Sequence, residues 1–261
     1  MKFALGVEYQ GTGYCGFQKQ PGLPAVQTEL EKALSVIADE PVEVVCAGRT
    51  DRGVNATGQV IHIEVSNERR DDAFVVGANN YLPPDIAITW ACRTDESFHA
   101  RFSATSRRYR YIIRNTRARA AILNEGLSIY HSDYDVPLMH ECAQILLGEQ
   151  DFSSFCSADE QSESRMRCVQ DVRMNRIGEY IVFDISANAF LNHMVRNIVG
   201  SLLLVGSGKK DREWFASVLG ARNREAAGPT AHPEGLYLVN VIYPDSFGLP
   251  KRDFLGPLWL R

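Results

Sequence analysis

The stretch "CAGRTDRGVNATGQV", Cys46–Val60, decides how the rest of the chain is read. It lies between two apolar runs, "VEVVCA" and "GQVIHIEV", each suited to a strand. Inside it a single carboxylate, Asp51, is flanked by Arg49 and Arg52 among glycines and other small residues. Neighbouring guanidinium groups favour the charged carboxylate. Such a group can be a nucleophile, a base or a metal ligand. A magnesium site would recruit more oxygen ligands, yet Glu43 is the only other acid within ten residues of Asp51. An Asp in a Gly-rich loop can equally be a turn residue that bonds its own backbone. Residue chemistry alone leaves these readings open.

Working outward, strands and helices alternate. Lys2–Tyr9 is expected to be a strand, followed by the glycine-bearing loop "QGTGYCGFQKQPG". Val26, Leu30, Ala33, Leu34 and Ile37 repeat at helical spacing, which predicts a helix over 24–39. A second helix is expected over 71–81, ended by Pro83 and Pro84, before the strand "DIAITWACRT". The later part predicts a strand at "RRYRYIIRN" and a helix over 135–147 with Asp135 as its cap. An exposed, mobile loop is expected over 156–167 and a strand at "YIVFDIS". A helix over 190–205 follows, whose apolar face includes Leu191 and Met194. A short helix over 211–219 and a last strand, "LYLVNVIYP", complete the series. The pattern divides near residue 104 into two halves, 1–104 and 105–261. Its mixture of hairpin and crossover connections favours an α+β fold, with a cleft between the halves as the natural site.

Composition narrows the function. The chain has 261 residues, 45% hydrophobic and 23% charged, within the range of globular proteins. It shows no run of the roughly 18 apolar residues a membrane span needs. The opening "MKFALGVEYQ" meets Glu8 too early for a secretory signal, so the cytoplasm is the expected compartment. Six cysteines show no C-x-x-C spacing, which favours free thiols over a zinc site. The formal net charge is −4, yet 97–124 holds seven arginines and no acid: Arg101, Arg107, Arg108, Arg110, Arg114, Arg117 and Arg119. That asymmetry fits either a localised anion-binding face or a solvated surface strand.

The segment "GRTDRGVNATGQV" resembles the catalytic motif of the pseudouridine synthases, and more narrowly that of their tRNA pseudouridine synthase A branch. The segments "LGVEYQGTGYCGFQKQ", "FHARFSATSRRYRY", "LLGEQDFSSF", "FLNHMVRNIVGSLL" and "EGLYLVNVIYP" resemble that branch in the same order, so the likeness covers nearly the whole chain. It implies a pseudouridine synthase fold: two similar α/β halves with mixed, mainly antiparallel sheets flanking a central active-site cleft. It implies isomerisation of uridine at positions 38, 39 and 40 of the tRNA anticodon stem-loop, without a cofactor, by a homodimer. Asp51 matches the catalytic aspartate, attacking the sugar C1′ or the base C6, or acting through a glycal. Arg49 matches the arginine that fills the space of the flipped base. Tyr109 matches the active-site tyrosine, and Arg196 the basic residue that pairs with the aspartate. Arg101, Arg107, Arg108 and Arg110 become candidates for tRNA phosphates, with Gln18, Lys19 and Asn55 as further RNA contacts. The motif departs from the common form "GRTDAGVHA" at Arg52 and Asn55, and Phe17 stands where tryptophan is frequent. Rival readings are a tRNA-binding chaperone without chemistry and a metal-dependent phosphohydrolase using Asp51.

Overall fold

The structure is a computed structural model that describes residues 1–67, 69–118, 125–158 and 162–251. Its strands are β1 (Lys2–Tyr9), β2 (Val45–Cys46), β3 (Asn55–Glu64), β4 (Ile86–Thr94), β5 (Ser106–Asn115), β6 (Ser128–Tyr130), β7 (Gly148–Asp151), β8 (Met166–Ile177), β9 (Tyr180–Ala187) and β10 (Leu236–Ile242). Its α-helices are α1 (Val26–Ala38), α2 (Val136–Ala143), α3 (Met194–Gly206) and α4 (Arg212–Ala221). The described chain forms two units, 1–105 with 237–251, and 106–236. The last strand therefore goes with the first unit, whereas the sequence reading set it in the second half.

In the first unit β1 is the buried centre, antiparallel to β3 on one side and β4 on the other. Buried on both faces, it reads as the near-continuous run "KFALGV" rather than as an alternation. Further along, β3 pairs with β10 in parallel at Asn55 and Ala56, and with β2 antiparallel at Ile61 and His62. This mixed sheet is faced by α1, which buries Val26, Leu30, Ala33, Leu34 and Ala38. The helix stops at Asp39, whose φ of 57° is left-handed, and Pro41 cannot continue it. The second expected helix is instead built round a π-helical turn, Ala73–Gly77, whose Phe74 ring packs against Phe3, tilted by 58° with centroids 4.9 Å apart.

The second unit orders its strands β5-β9-β8-β7, all antiparallel, with β6 added to β5 in parallel. Its β8–β9 hairpin turns through Gly178, whose φ of 59° suits the first corner of a type II′ turn. Asp135 caps α2 as expected, its Oδ1 accepting the Leu138 N–H at 3.0 Å. The helix expected over 190–205 begins later, at Met194, because His193 takes a left-handed φ of 61°. Leu191 and Met194 are core residues.

The sequence reading missed β8. Its buried residues are Val169, Val172 and Met174, a spacing broken by a bulge between Val169 and Asp171, and Gln170, Arg173, Asn175 and Arg176 are exposed. The bulge removes the strict period of two that marks a half-buried strand. The loop expected over 156–167 is correspondingly shorter, since Met166 and Arg167 belong to β8 and Cys156 is buried. Its middle, 159–161, lies outside the described residues. All six cysteines are free thiols. Among the described residues no helix is long and apolar enough to cross a membrane, and no group of three or more His, Cys, Asp or Glu gathers as metal ligands.

One buried imidazole makes the first unit acid-sensitive. His62 Nδ1 accepts the Ala100 N–H at 3.1 Å, a role open only to the unprotonated nitrogen. Burial, with His99 and Lys2 nearby, lowers its pKa to about 4 against an ordinary 6.5. The unfolded chain therefore binds the extra proton first as pH falls. Stability from this group is complete above pH 6.5 and declines toward pH 4, by about 3 kcal/mol at the limit. Urea melts between pH 7 and 4 should show a steeper acid loss for the parent than for His62→Asn, which keeps a neutral acceptor.

Candidate active site

Asp51 sits on a tight turn closed by the Val54 N–H to the Asp51 carbonyl, 3.1 Å. Gly53 has φ +80°, the sign a type II turn demands at its third residue. That sets Arg52 on the exposed corner, while Asp51 is half-buried. Asn55, expected as an RNA contact, lies inside the protein. It is 1% exposed, and its Oδ1 accepts the Gly11 N–H at 2.8 Å. Gly11 lies so close that a Cβ there would come within 2.0 Å of the Val54 carbonyl oxygen. The N-terminal glycine loop is thus packed against the Asp51 turn by backbone contact, and Asn55 is its fastener.

Arg49 is exposed beside that turn. Its charge and that of Arg101 both reach the Cys46 thiol, which burial nonetheless pushes up to about 11. Arg49 and Arg101 therefore both lie within electrostatic reach of Cys46. Arg101 carries its guanidinium 5.5 Å from the centroid of the Phe102 ring, which is 75% exposed. Gln18 and Lys19 are exposed too, but the Lys19 ammonium is 2.8 Å from Glu31 of α1, which raises its pKa.

In the second unit alternation along β5 sends Arg107, Tyr109 and Tyr111 to one face and Arg108 and Arg110 to the other. Tyr109 is buried edge-on against Phe190, centroids 4.9 Å apart at 80°. Arg107 donates from Nη1 to the Asn188 carbonyl, 2.8 Å. The 188–190 segment thereby covers this face. Arg196, on α3 and half-buried, donates from Nε to the Ala231 carbonyl at 2.9 Å, and the Ala231 N–H returns to the Arg196 carbonyl at 3.1 Å. Gly200 permits this approach, since a Cβ there would lie 1.7 Å from the Pro229 carbonyl oxygen. Behind it Arg224 bonds the Gly228 carbonyl, Asn197 and Thr230, fixing the 228–231 strap to α3.

The basic stretch divides. Arg110 forms a buried two-point pair with Asp184 of β9, with Nη2 to Oδ2 at 2.9 Å and Nε to Oδ1 at 3.1 Å. Arg108 joins the same carboxylate at 3.3 Å. Arg110, expected among the phosphate contacts, is thus buried and engaged inside the strand pairing. Arg114 and Arg117 pair with Glu179 and Asp133 at 3.4 and 2.8 Å. Arg117–Asp133 is an exposed pair of the kind worth little. Arg119 lies outside the described residues. Asp184 could have been found in the sequence: an acid inside "YIVFDISA" must meet a cation if buried.

The two units each carry a mixed, mainly antiparallel sheet with helices, and the first holds a half-buried aspartate on a turn flanked by arginines. The family description "tRNA pseudouridine synthase" matches residues 6–103 and 142–244, and the chain belongs to that family. It is 57% identical to the tRNA pseudouridine synthase A of Aeromonas hydrophila over all of this chain and 96% of that one. It is 54% identical to that of Shewanella amazonensis, over all of this chain and 99% of the relative. The synthase of Haemophilus influenzae is 55% identical, over all of this chain and 97% of its own. The chain is thus an isomerase of tRNA uridine, which sets aside the chaperone and phosphohydrolase readings.

The division of the arginines is testable. Arg110→Ala should cost about 2–3 kcal/mol in urea melts, below the roughly 3–5 kcal/mol of a fully orphaned buried carboxylate, because Asp184 loses its two-point partner but keeps Arg108. Arg101→Ala should change stability by less than about 0.5 kcal/mol. It should instead weaken tRNA binding and lower the salt slope of log K by about one.

Proposed function

We propose that this synthase acts on uridines 38, 39 and 40 of the tRNA anticodon stem-loop, with Asp51 as nucleophile and no cofactor. Pseudouridine formation breaks the bond between N1 and C1′, turns the base, and joins C5 to C1′. The C5 proton is lost and N1 gains one, so atoms and electrons balance without an external reagent. The enzyme has to reach a base stacked in RNA, so the nucleotide must be flipped out. The detached base must be held until it rejoins.

The observation that carries the reading is the Asp51 turn: a half-buried carboxylate on a constrained corner, in a chain of this family. In this reading Arg49 takes the gap left by the flipped base, where a planar guanidinium can stack and bind phosphate. Tyr109 stacks on the uracil and assists proton movement from C5. Arg196 pairs with the carboxylate. Arg101, Arg107, Arg108, Gln18 and Lys19 give affinity through the RNA backbone. The working assembly is a cytoplasmic homodimer of two-halved subunits. This extension is supported by the resemblance of the ordered motifs.

Asp51→Asn should leave binding of an anticodon-arm transcript within about threefold while abolishing pseudouridine at 38–40, scored by chemical mapping of the product. Turnover retained by Asp51→Asn would remove Asp51 from the chemistry. Light scattering on the purified protein should give twice the chain mass.

A further inference from the structure

Gln59 is fully buried in the middle of β3, and a buried primary amide has to satisfy its donors and acceptor inside the protein. It does so on the loop that carries Arg49 and Asp51. Its Nε2 donates to the Gly48 carbonyl at 2.7 Å, and its Oε1 faces the Gly48 N–H at 3.4 Å. The same Nε2 lies 3.4 Å from the Tyr9 hydroxyl, which is 2.8 Å from Thr50 Oγ1. Tyr9, Thr50 and Gln59 are all buried. The Thr50 carbonyl accepts the Phe17 N–H at 3.0 Å, with Gly16, φ +100°, pressed against it.

The register explains how Tyr9 reaches the loop. Val7 of β1 pairs with Gln59, but Tyr9 pairs with Ala56 because the ladder shifts between them. A bulge of this kind re-aims a side chain, and here it brings the Tyr9 ring tip to Thr50. Gly48 and Thr50 bracket Arg49, and Asp51 follows directly. The segment thus hangs from two side chains rooted in paired strands.

We propose that Gln59 and Tyr9 are positioning residues for the Asp51 carboxylate, acting through Gly48 and Thr50. The proposal rests on Asp51 as nucleophile. A nucleophile displaced by about 1 Å can lose on the order of 100-fold in rate, and a loop rich in glycine has no stiffness of its own to prevent it.

The hydroxyl link supplies the test, because it can be removed with little change of volume. Tyr9→Phe and Thr50→Val should each lower kcat by roughly 10- to 100-fold at saturating tRNA, with KM within about twofold. Thr50→Ser should recover most of the loss. The double variant Tyr9→Phe/Thr50→Val should be no slower than Tyr9→Phe, since Thr50→Val deletes only the Tyr9–Thr50 bond, which Tyr9→Phe has already removed along with the Gln59 contact. Parental kcat in both single variants would overturn the proposal. So would additive losses, failure of Thr50→Ser to recover, or a loss that follows only a lowered melting temperature. Asp51→Asn is run alongside. If it is inactive while Tyr9→Phe and Thr50→Val match the parent, positioning fails and the nucleophile reading stands. If Asp51→Asn turns over, the nucleophile reading itself has failed.

Discussion

The grip of the Gln59 amide on the Gly48 main chain is the constraint from which the shape of the Asp51 loop follows. A buried amide left without partners costs about 1–3 kcal/mol, so the loop and the amide hold each other in place. The neighbouring contacts are of the same kind. Gly11 lets backbone meet backbone at Val54, Asn55 fastens Gly11, and Gly16 lies against the Thr50 carbonyl. Three short sequence segments, near residues 9–17, 46–55 and 59, thus form one small polar framework. Side chains with acid–base chemistry are few in it, and main-chain groups do most of the holding.

The second unit solves a different problem. A strand carrying Arg107, Arg108 and Arg110 cannot be buried in a sheet unless the charges are met. Asp184, directly opposite Arg110 in register, meets two of them, and the Asn188 carbonyl takes Arg107. The arginines that looked alike in sequence are therefore unequal. Arg110 stabilises the strand pairing from inside, whereas Arg101 stands at an exposed tip beside Phe102. A basic run is evidence for anion binding only after its internal debts of charge have been counted.

Much of the architecture was legible in the chain. The α1 face, the Asp135 cap and strands β1, β4, β5, β9 and β10 followed from periodicity and end signals, because those depend on neighbours in sequence. The family followed from ordered motifs, and the aspartate turn from its glycines. What escaped were features whose cause lies across the fold. The β8 strand was hidden by its bulge, Asn55 looked like a substitution at an RNA contact, and Gln59 and Tyr9 looked like ordinary strand residues.

By itself, then, the sequence determined the α+β class, the family and the carboxylate on which the reaction is proposed to turn. These are written in local pattern and residue identity. Only the tertiary structure decided which cations are consumed inside and which side chains hold the Asp51 loop. Arg110 meets Asp184 across 74 positions, Tyr9 meets Thr50 across 41, and Gly11 meets Asn55 across 44. A buried polar group must find its partner wherever the fold brings one, and no local spacing encodes that choice.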